Sequence, residues 1–238
     1  MLIHRRTLLL LTLCLGISVY SAGVFAEEIA WEFGDKSGTR LNRVVDSNGR
    51  AGGWSEAFER SRVTGRGVYR LGRGSGSVSN SYRRLRFANA EQVTAVYELS
   101  GWKIEGPTAN ETLRLGLVHT THAERPRVLC QFNLRRTDKA ELTLSLEAFG
   151  EGSSNEYETV KLPATSDAAL RLKLVYDAAS NRYEGHYAVG DGAFKRLGGG
   201  STSPEREPNH LRLGATGSFD SGDGSEHVAF DRIAVSGR

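Results

Sequence analysis

The sequence predicts an all-β fold, a sandwich or barrel, and three observations predict it. Apolar residues recur at every second position in run after run. Clusters of Gly, Asp, Asn and Ser separate those runs. No window sustains the i, i+3, i+4, i+7 apolar spacing of an amphipathic helix. Successive strand side chains point to opposite faces, so each alternating run reads as a strand with one buried face. Many short strands joined by turn residues favour stacked sheets or a closed barrel.

The first segment stands apart from this pattern. His4, Arg5 and Arg6 form a positive head, Leu8 to Ile17 is an apolar run, and Val24-Phe25-Ala26 precedes the acidic Glu27-Glu28. This is the pattern of a cleaved secretory signal peptide over residues 1–26. It predicts export, periplasmic or secreted, with residues 27–238 forming one domain. The apolar run falls short of the ~20 residues that span a bilayer, so no membrane span is expected after cleavage.

The strands then follow in order. Val93, Ala95, Tyr97 and Leu99 alternate with Thr94, Val96 and Glu98. Leu113, Leu115 and Leu117 alternate with Arg114, Gly116 and Val118. Val128, Cys130, Phe132 and Leu134 alternate with Leu129, Gln131, Asn133 and Arg135. Leu142, Leu144 and Leu146, then Leu170, Leu172, Leu174 and Tyr176, repeat the pattern. Tyr183 to Val189, Leu211 to Ala215 and Val228 to Val235 complete the set. Asp177 to Asn181 and Gly190-Asp-Gly192 have hairpin-turn chemistry. Gly150 to Asn155 reads as a turn joining strands around Leu146 and Val160. Gly72–Ser81 and Gly198–Pro208 read as surface loops.

Charge and cysteine content exclude some classes. The chain carries 31 basic and 28 acidic side chains, a net +3. Loss of Arg5 and Arg6 leaves 29 against 28, or +1. The basic residues are spread along the chain, so nucleic acid is not an expected partner. Cys130 is the sole cysteine after residue 26, so no internal disulfide forms. Its register with Phe132 and Leu134 places it as a small apolar residue on an inward face.

Leu170-Arg-Leu-Lys-Leu-Val-Tyr-Asp177 leads through Tyr183-Glu-Gly-His-Tyr-Ala-Val189 to Gly190-Asp-Gly-Ala-Phe194. This succession resembles the late strands of concanavalin A-like (laminin-G-like) jelly rolls. Phe230-Asp-Arg-Ile-Ala-Val235 resembles the last strand of that fold, which pairs beside the first, and the resemblance makes Ile29-Ala-Trp-Glu-Phe33 that first strand. The resemblance implies a jelly-roll β-sandwich of two antiparallel sheets, one curved, with sugars often lying across the curved face. It implies no single activity.

Within that frame a polar sheet face is the leading candidate site. Gln131, Asn133 and Arg135 share the face opposite the apolar set, and Arg114 leaves the neighbouring strand on its polar side. Amides and guanidinium forks suit polyols and acidic sugars. Trp54, after Gly52-Gly53, and Trp102, after Gly101, are expected as exposed ring platforms, whereas Trp31 reads as core. A solvated strand face carries the same residue types without binding anything.

Two chemistries sharpen or compete with this reading. A polysaccharide lyase acting on an acidic glycan by β-elimination needs a carboxylate neutraliser, a base and an acid. Gln131 with Asn133 and an Arg could supply the first, and His119 or His186 with Tyr187 the others. Gln131-Phe-Asn133 is similar to the Gln-Ile-His element of alginate-lyase-like jelly rolls, but Asn stands in place of His. The Glu-x-Asp-x-x-Glu run of retaining glycosidases of this fold is absent; Glu141, Glu147 and Glu151 have other spacings. The Gly-rich Asp220 to Glu226 segment suits a structural calcium, with Asp220 and Asp223 as ligands. The resemblance adds Asp231, with Glu32 or Asp35. No other cofactor is implied.

The sequence thus predicts an exported carbohydrate-binding or interaction module with a polysaccharide or glycoconjugate as partner. The lyase, or a non-catalytic structural envelope protein, stands as the alternative.

Overall fold

The computed structural model describes residues 27–55, 61–64, 67–71, 79–87, 90–104, 112–120, 127–138, 141–150, 153–202, 207–216 and 227–238. The segment 1–26, read above as a signal peptide, lies outside the described residues. Sixteen strands are described: β1 (Glu27–Trp31), β2 (Arg62–Val63), β3 (Tyr69–Leu71), β4 (Ser79–Arg84), β5 (Gln92–Lys103), β6 (Thr112–His119), β7 (Arg127–Asp138) and β8 (Glu141–Ala148). They continue as β9 (Ser154–Tyr157), β10 (Val160–Pro163), β11 (Thr165–Ser166), β12 (Leu170–Asp177), β13 (Arg182–Val189), β14 (Lys195–Ser201), β15 (His210–Thr216) and β16 (His227–Gly237). Among the described residues no helix is long and apolar enough to cross a membrane.

Two antiparallel sheets form the sandwich. The larger runs β2-β3-β16-β5-β12-β13-β14-β9, with β1 added on β16 and β11 on β5. The smaller runs β10-β8-β7-β6-β15-β4. The first strand lies against the last, Ile29 opposite Val235. Alternation places the core: Val93, Ala95, Tyr97 and Leu99 from β5 and Leu170, Leu172, Leu174 and Tyr176 from β12 meet Leu113, Leu115, Leu117, Cys130, Phe132, Leu134 and Leu144 from the other sheet. Burial drives this packing at roughly 25 cal/mol per Å² of apolar surface. It also pushes the Cys130 thiol far above its ordinary pKa, which suits a packing residue and not a nucleophile.

Tyr97 crosses the core and ties the two layers together. Its hydroxyl lies 3.3 Å from the Gly116 carbonyl oxygen and 3.4 Å from that of Arg212. Buried at the sheet interface, it is held protonated by desolvation. Gly185 on β13 marks the tightest cross-sheet approach, since an added Cβ would stand 2.6 Å from Leu146 Cδ2 and 2.9 Å from Phe132 Cε1.

The structure corrects three local readings. Gly198, Gly199 and Gly200 are not loop but buried strand, within β14 between β13 and β9. A Cβ on Gly199 would meet the Tyr183 carbonyl oxygen at 2.5 Å, so close backbone approach explains the run of glycines. The segment after Gly150 does not turn directly into the Val160 strand. It first crosses to the larger sheet as β9, held by Asn155, whose Oδ1 accepts from Ala148 N–H and whose Nδ2 donates to Ala148 C=O at 3.2 Å. A bulge between β6 and β7 sets Val128 opposite Val118, so Val128 leaves the core face that Cys130 holds.

Replacing Gly185 by Ala is expected to lower stability by about 1–3 kcal/mol through overpacking, read as a fall in the urea midpoint at unchanged slope.

Candidate functional site

The outward face of the six-stranded sheet carries a groove of about 750 Å³. Strand register builds it row by row. In one row Tyr82, Arg212, Gly116, Gln131 and Glu147 lie side by side across β4, β15, β6, β7 and β8. In the next lie Asn80, Gly214, Arg114, Asn133 and Ser145, and in the third Thr112, Arg135 and Thr143. Arg114, Gln131, Asn133 and Arg135, which the sequence places on a polar face, line this groove together.

Two glycines make room for the guanidinium groups. Arg212 stands opposite Gly116, and Arg114 opposite Gly214. A Cβ on Gly214 would lie 2.5 Å from Asn80 Oδ1, and one on Gly116 at the same distance from Gln131 Cβ. Through that space runs a hydrogen-bonded chain. Arg212 Nε and Nη2 donate to Asn80 Oδ1 at 3.0 and 2.7 Å. Arg212 Nη1 donates to Gln131 Oε1 at 2.5 Å, and Gln131 Nε2 donates to Asn133 Oδ1 at 2.7 Å. Gln131, Asn133 and Arg212 are only 3%, 6% and 7% exposed, so the chain is buried floor, not mobile surface.

Charge in the groove is one-sided. Its described lining carries the guanidinium groups of Arg114, Arg135 and Arg212 against the single carboxylate of Glu147. Burial holds Arg114 and Arg212 below the ordinary arginine pKa. Glu147 opposes that shift at Arg114, and Arg135 adds to it. Arginine nonetheless stays protonated at physiological pH. Arg114 makes no hydrogen bond or close ion pair with any described residue. Phe149, 41% exposed, stands at the rim as the groove's aromatic surface.

The expected lyase set does not converge, which corrects that expectation. His186 and Tyr187 are on β13 in the larger sheet, whereas His119 and Gln131 belong to the smaller one. His119 ends β6 on the parity of Leu115 and Leu117, with Nδ1 2.7 Å from the Glu207 carbonyl oxygen. His186 faces outward beside Glu184 at 3.6 Å, and burial and Lys173 lower its pKa. Tyr187 packs against the core. Gln131 alone of the four reaches the groove.

Trp54 and Trp102 are corrected as well, being 4% and 1% exposed. Gly52 and Gly53 both adopt positive φ and turn Trp54 inward, edge-on to Trp31 at 5.3 Å. Gly53 also leaves space for Arg83, which lies over Trp31 and pairs with buried Asp46 at 3.5 Å. The glycines that suggested an exposed loop instead admit a buried guanidinium. Trp102 on β5 is paired by Ser166 of β11 in the same sheet, and its Nε1 donates to the Pro163 carbonyl at 2.8 Å.

Of the calcium candidates, Asp220 and Asp223 lie outside the described residues. Asp231 is exposed on β16; Asp35 Oδ2 accepts from the Val45 N–H at 3.3 Å, and Glu32 lies 3.9 Å from Arg232. Among the described residues no three His, Cys, Asp or Glu side chains come together, so these do not fit a calcium cage.

With this geometry in hand, the fold is the concanavalin A-like jelly roll. Neither a family model nor a curated protein matches the sequence. Among solved structures, the basic winged bean lectin with Tn-antigen superposes at TM-score 0.55 and 8% identity, over 90% of this chain and 98% of that one. The exoplasmic/lumenal domain of VIP36 in its Ca²⁺-bound form superposes at 0.52 and 11% identity, over 85% and 90%. The endo-1,3-β-glucanase of Streptomyces sioyaensis does so at 0.50 and 10%, over 87% and 94%.

Arg212 was not legible as a site residue, because a lone Arg in Leu211-Arg-Leu213 looks like any solvated strand position. Substituting it with Met is expected to cost about 2–3 kcal/mol in chemical denaturation, since Asn80 and Gln131 lose a charged donor. Arg212→Lys is expected to recover less than half of that, for want of the fork.

Proposed function

We propose that this chain is an exported, non-catalytic carbohydrate-binding module whose ligand lies in the groove on the six-stranded sheet. One observation carries this reading. The groove presents hydrogen-bonding side chains fixed by a buried network, with a single carboxylate, Glu147, and no histidine among its described lining, while Tyr82 of the first row stands on the edge strand β4 outside that lining. Retaining and inverting glycosidases need paired carboxyl groups, and β-elimination needs a base and an acid. A rigid polar floor with an aromatic rim meets the needs of sugar binding without either. Fixed donors lose little entropy when they engage hydroxyls, and Phe149 offers a face to a pyranose ring. The lectins and the glucanase of the same fold act on carbohydrates, which supports the ligand class. The signal-like amino terminus supports export.

An open, polar groove also supports this reading over a structural envelope protein, whose sheet face would be filled by loops or large apolar side chains.

On a polysaccharide panel in affinity electrophoresis, the protein is expected to be retained by at least one polymer. Ser145→Trp, which fills the groove without changing its charge, should abolish retention while leaving the melting temperature near wild type. Retention by none, or retention indifferent to Ser145→Trp, would sink the assignment. Amino-terminal sequencing of the exported protein is expected to begin at Glu27; a retained leader would refute the export step.

A further inference from the structure

Resting on the groove assignment above, we propose that the groove selects anionic glycans, recognising carboxylate or sulfate oxygens through Arg114, Arg135 and the amide nitrogen of Asn133.

The inference begins with Arg212, because guanidinium has donors and no acceptor. Its bond to Gln131 must therefore meet the amide oxygen, which turns the Gln131 nitrogen toward Asn133. That nitrogen donates, so it must meet the Asn133 oxygen. Asn133 is left with its own Nδ2 facing the groove, without a hydrogen bond to any described residue. One buried arginine thus fixes the orientation of two amides in succession, and the outcome at the ligand surface is a donor. Arg114 stands directly across the ladder from Asn133, and Arg135 is two residues further along β7 on the same face. Three donor-bearing side chains thus occupy neighbouring positions of one groove, two of them cationic, with Arg114 half-buried where a charge-assisted bond is strongest. The opposing acceptor is Glu147, which forms no ion pair with a described residue and repels anions from one end of the groove. A ligand rich in acceptors and carrying negative charge matches this surface; a neutral polyol, whose every hydroxyl also carries a donor, gains no charge-assisted bond from the cations and matches it less well.

Calorimetric titration of the intact mature protein tests this with three polymers: a polyuronate bearing carboxylates only, a sulfated galactan bearing sulfates only, and the desulfated galactan as neutral control. Binding is expected to the first, the second or both, weakening at raised ionic strength. Which of the two binds names the anion. Arg114→Ala should weaken that binding about tenfold or more, and Asn133→Asp, which replaces the donor by a like charge, at least as much. Glu147→Gln should strengthen it by about two- to threefold by removing the repelling carboxylate. That gain is one that a folding defect cannot produce. Thermal melts confirm that each variant is folded.

Equal affinity for the neutral polymer, or anion binding indifferent to Arg114→Ala and Glu147→Gln, overturns the charge selection while leaving a sugar groove standing if Ser145→Trp still blocks it. Binding to none of the three, together with no retention on the wider panel, overturns the groove assignment and this inference with it.

Discussion

The register of β15 against β6 is the constraint on which the site depends. It sets Arg212 opposite Gly116 and Gly214 opposite Arg114, so each guanidinium faces a residue with no side chain. Directly opposed residues stand roughly 4.5–5.5 Å apart at Cβ, and like charges there repel. A slip of two residues could set Arg212 against Arg114. A slip of one would turn Leu211 and Leu213 outward and Arg212 into the core. The Tyr97 hydroxyl reaches the carbonyls of Gly116 and Arg212 themselves, so the opposite sheet clasps the pair that the groove requires. Core packing and site geometry are here one constraint.

From that register the polarity of the groove follows by elimination. Arg212 has only donors, and its acceptors are the side-chain oxygens of Asn80 and Gln131. Gln131 and Arg212 are consumed by this chain and belong to the floor. Arg114 and the Asn133 amide nitrogen lie outside this chain of bonds, and in the proposed reading they meet the ligand, with Arg135 and Phe149 beside them. The division separates residues whose loss unfolds the network from residues whose loss empties the site. It also explains how Arg212 and Arg114 sit near each other on one sheet face: glycines stand directly opposite both, and Arg212 is bound by amide oxygens.

Much of this was legible in the sequence, for a local reason. Period-2 alternation is written in every strand, and it places Arg114, Gln131, Asn133 and Arg135 on faces turned away from the core. The pairing of the last strand with the first followed from the jelly-roll resemblance and is observed. What alternation cannot encode is which sheet a strand joins. His186 and Tyr187 sit in a well-marked strand, yet β13 pairs with β12 and β14, and both residues fall across the sandwich from Gln131. Trp54 escaped for a related reason. Gly52-Gly53 reads as a loop until Arg83, thirty residues on, is seen to need the space that Gly53 leaves. The triple glycine of β14 misled in the same way, since its cause is the approach of β9 and the Tyr183 backbone.

The same non-locality bears on catalysis. A strand face can gather polar groups by alternation alone, but acid–base chemistry needs two titratable groups whose environments push their pKa values apart across a reacting bond. Here the groups with lowered pKa values in the groove are arginines, which remain charged at any pH the protein meets. The histidine with a lowered pKa is on the far sheet. The lone carboxylate, Glu147, faces a row of donors with no second acid beside it among the described lining. The described lining thus holds three guanidinium groups and one carboxylate without an acid–base pair across them, and it is this distribution of charge that the binding reading rests on.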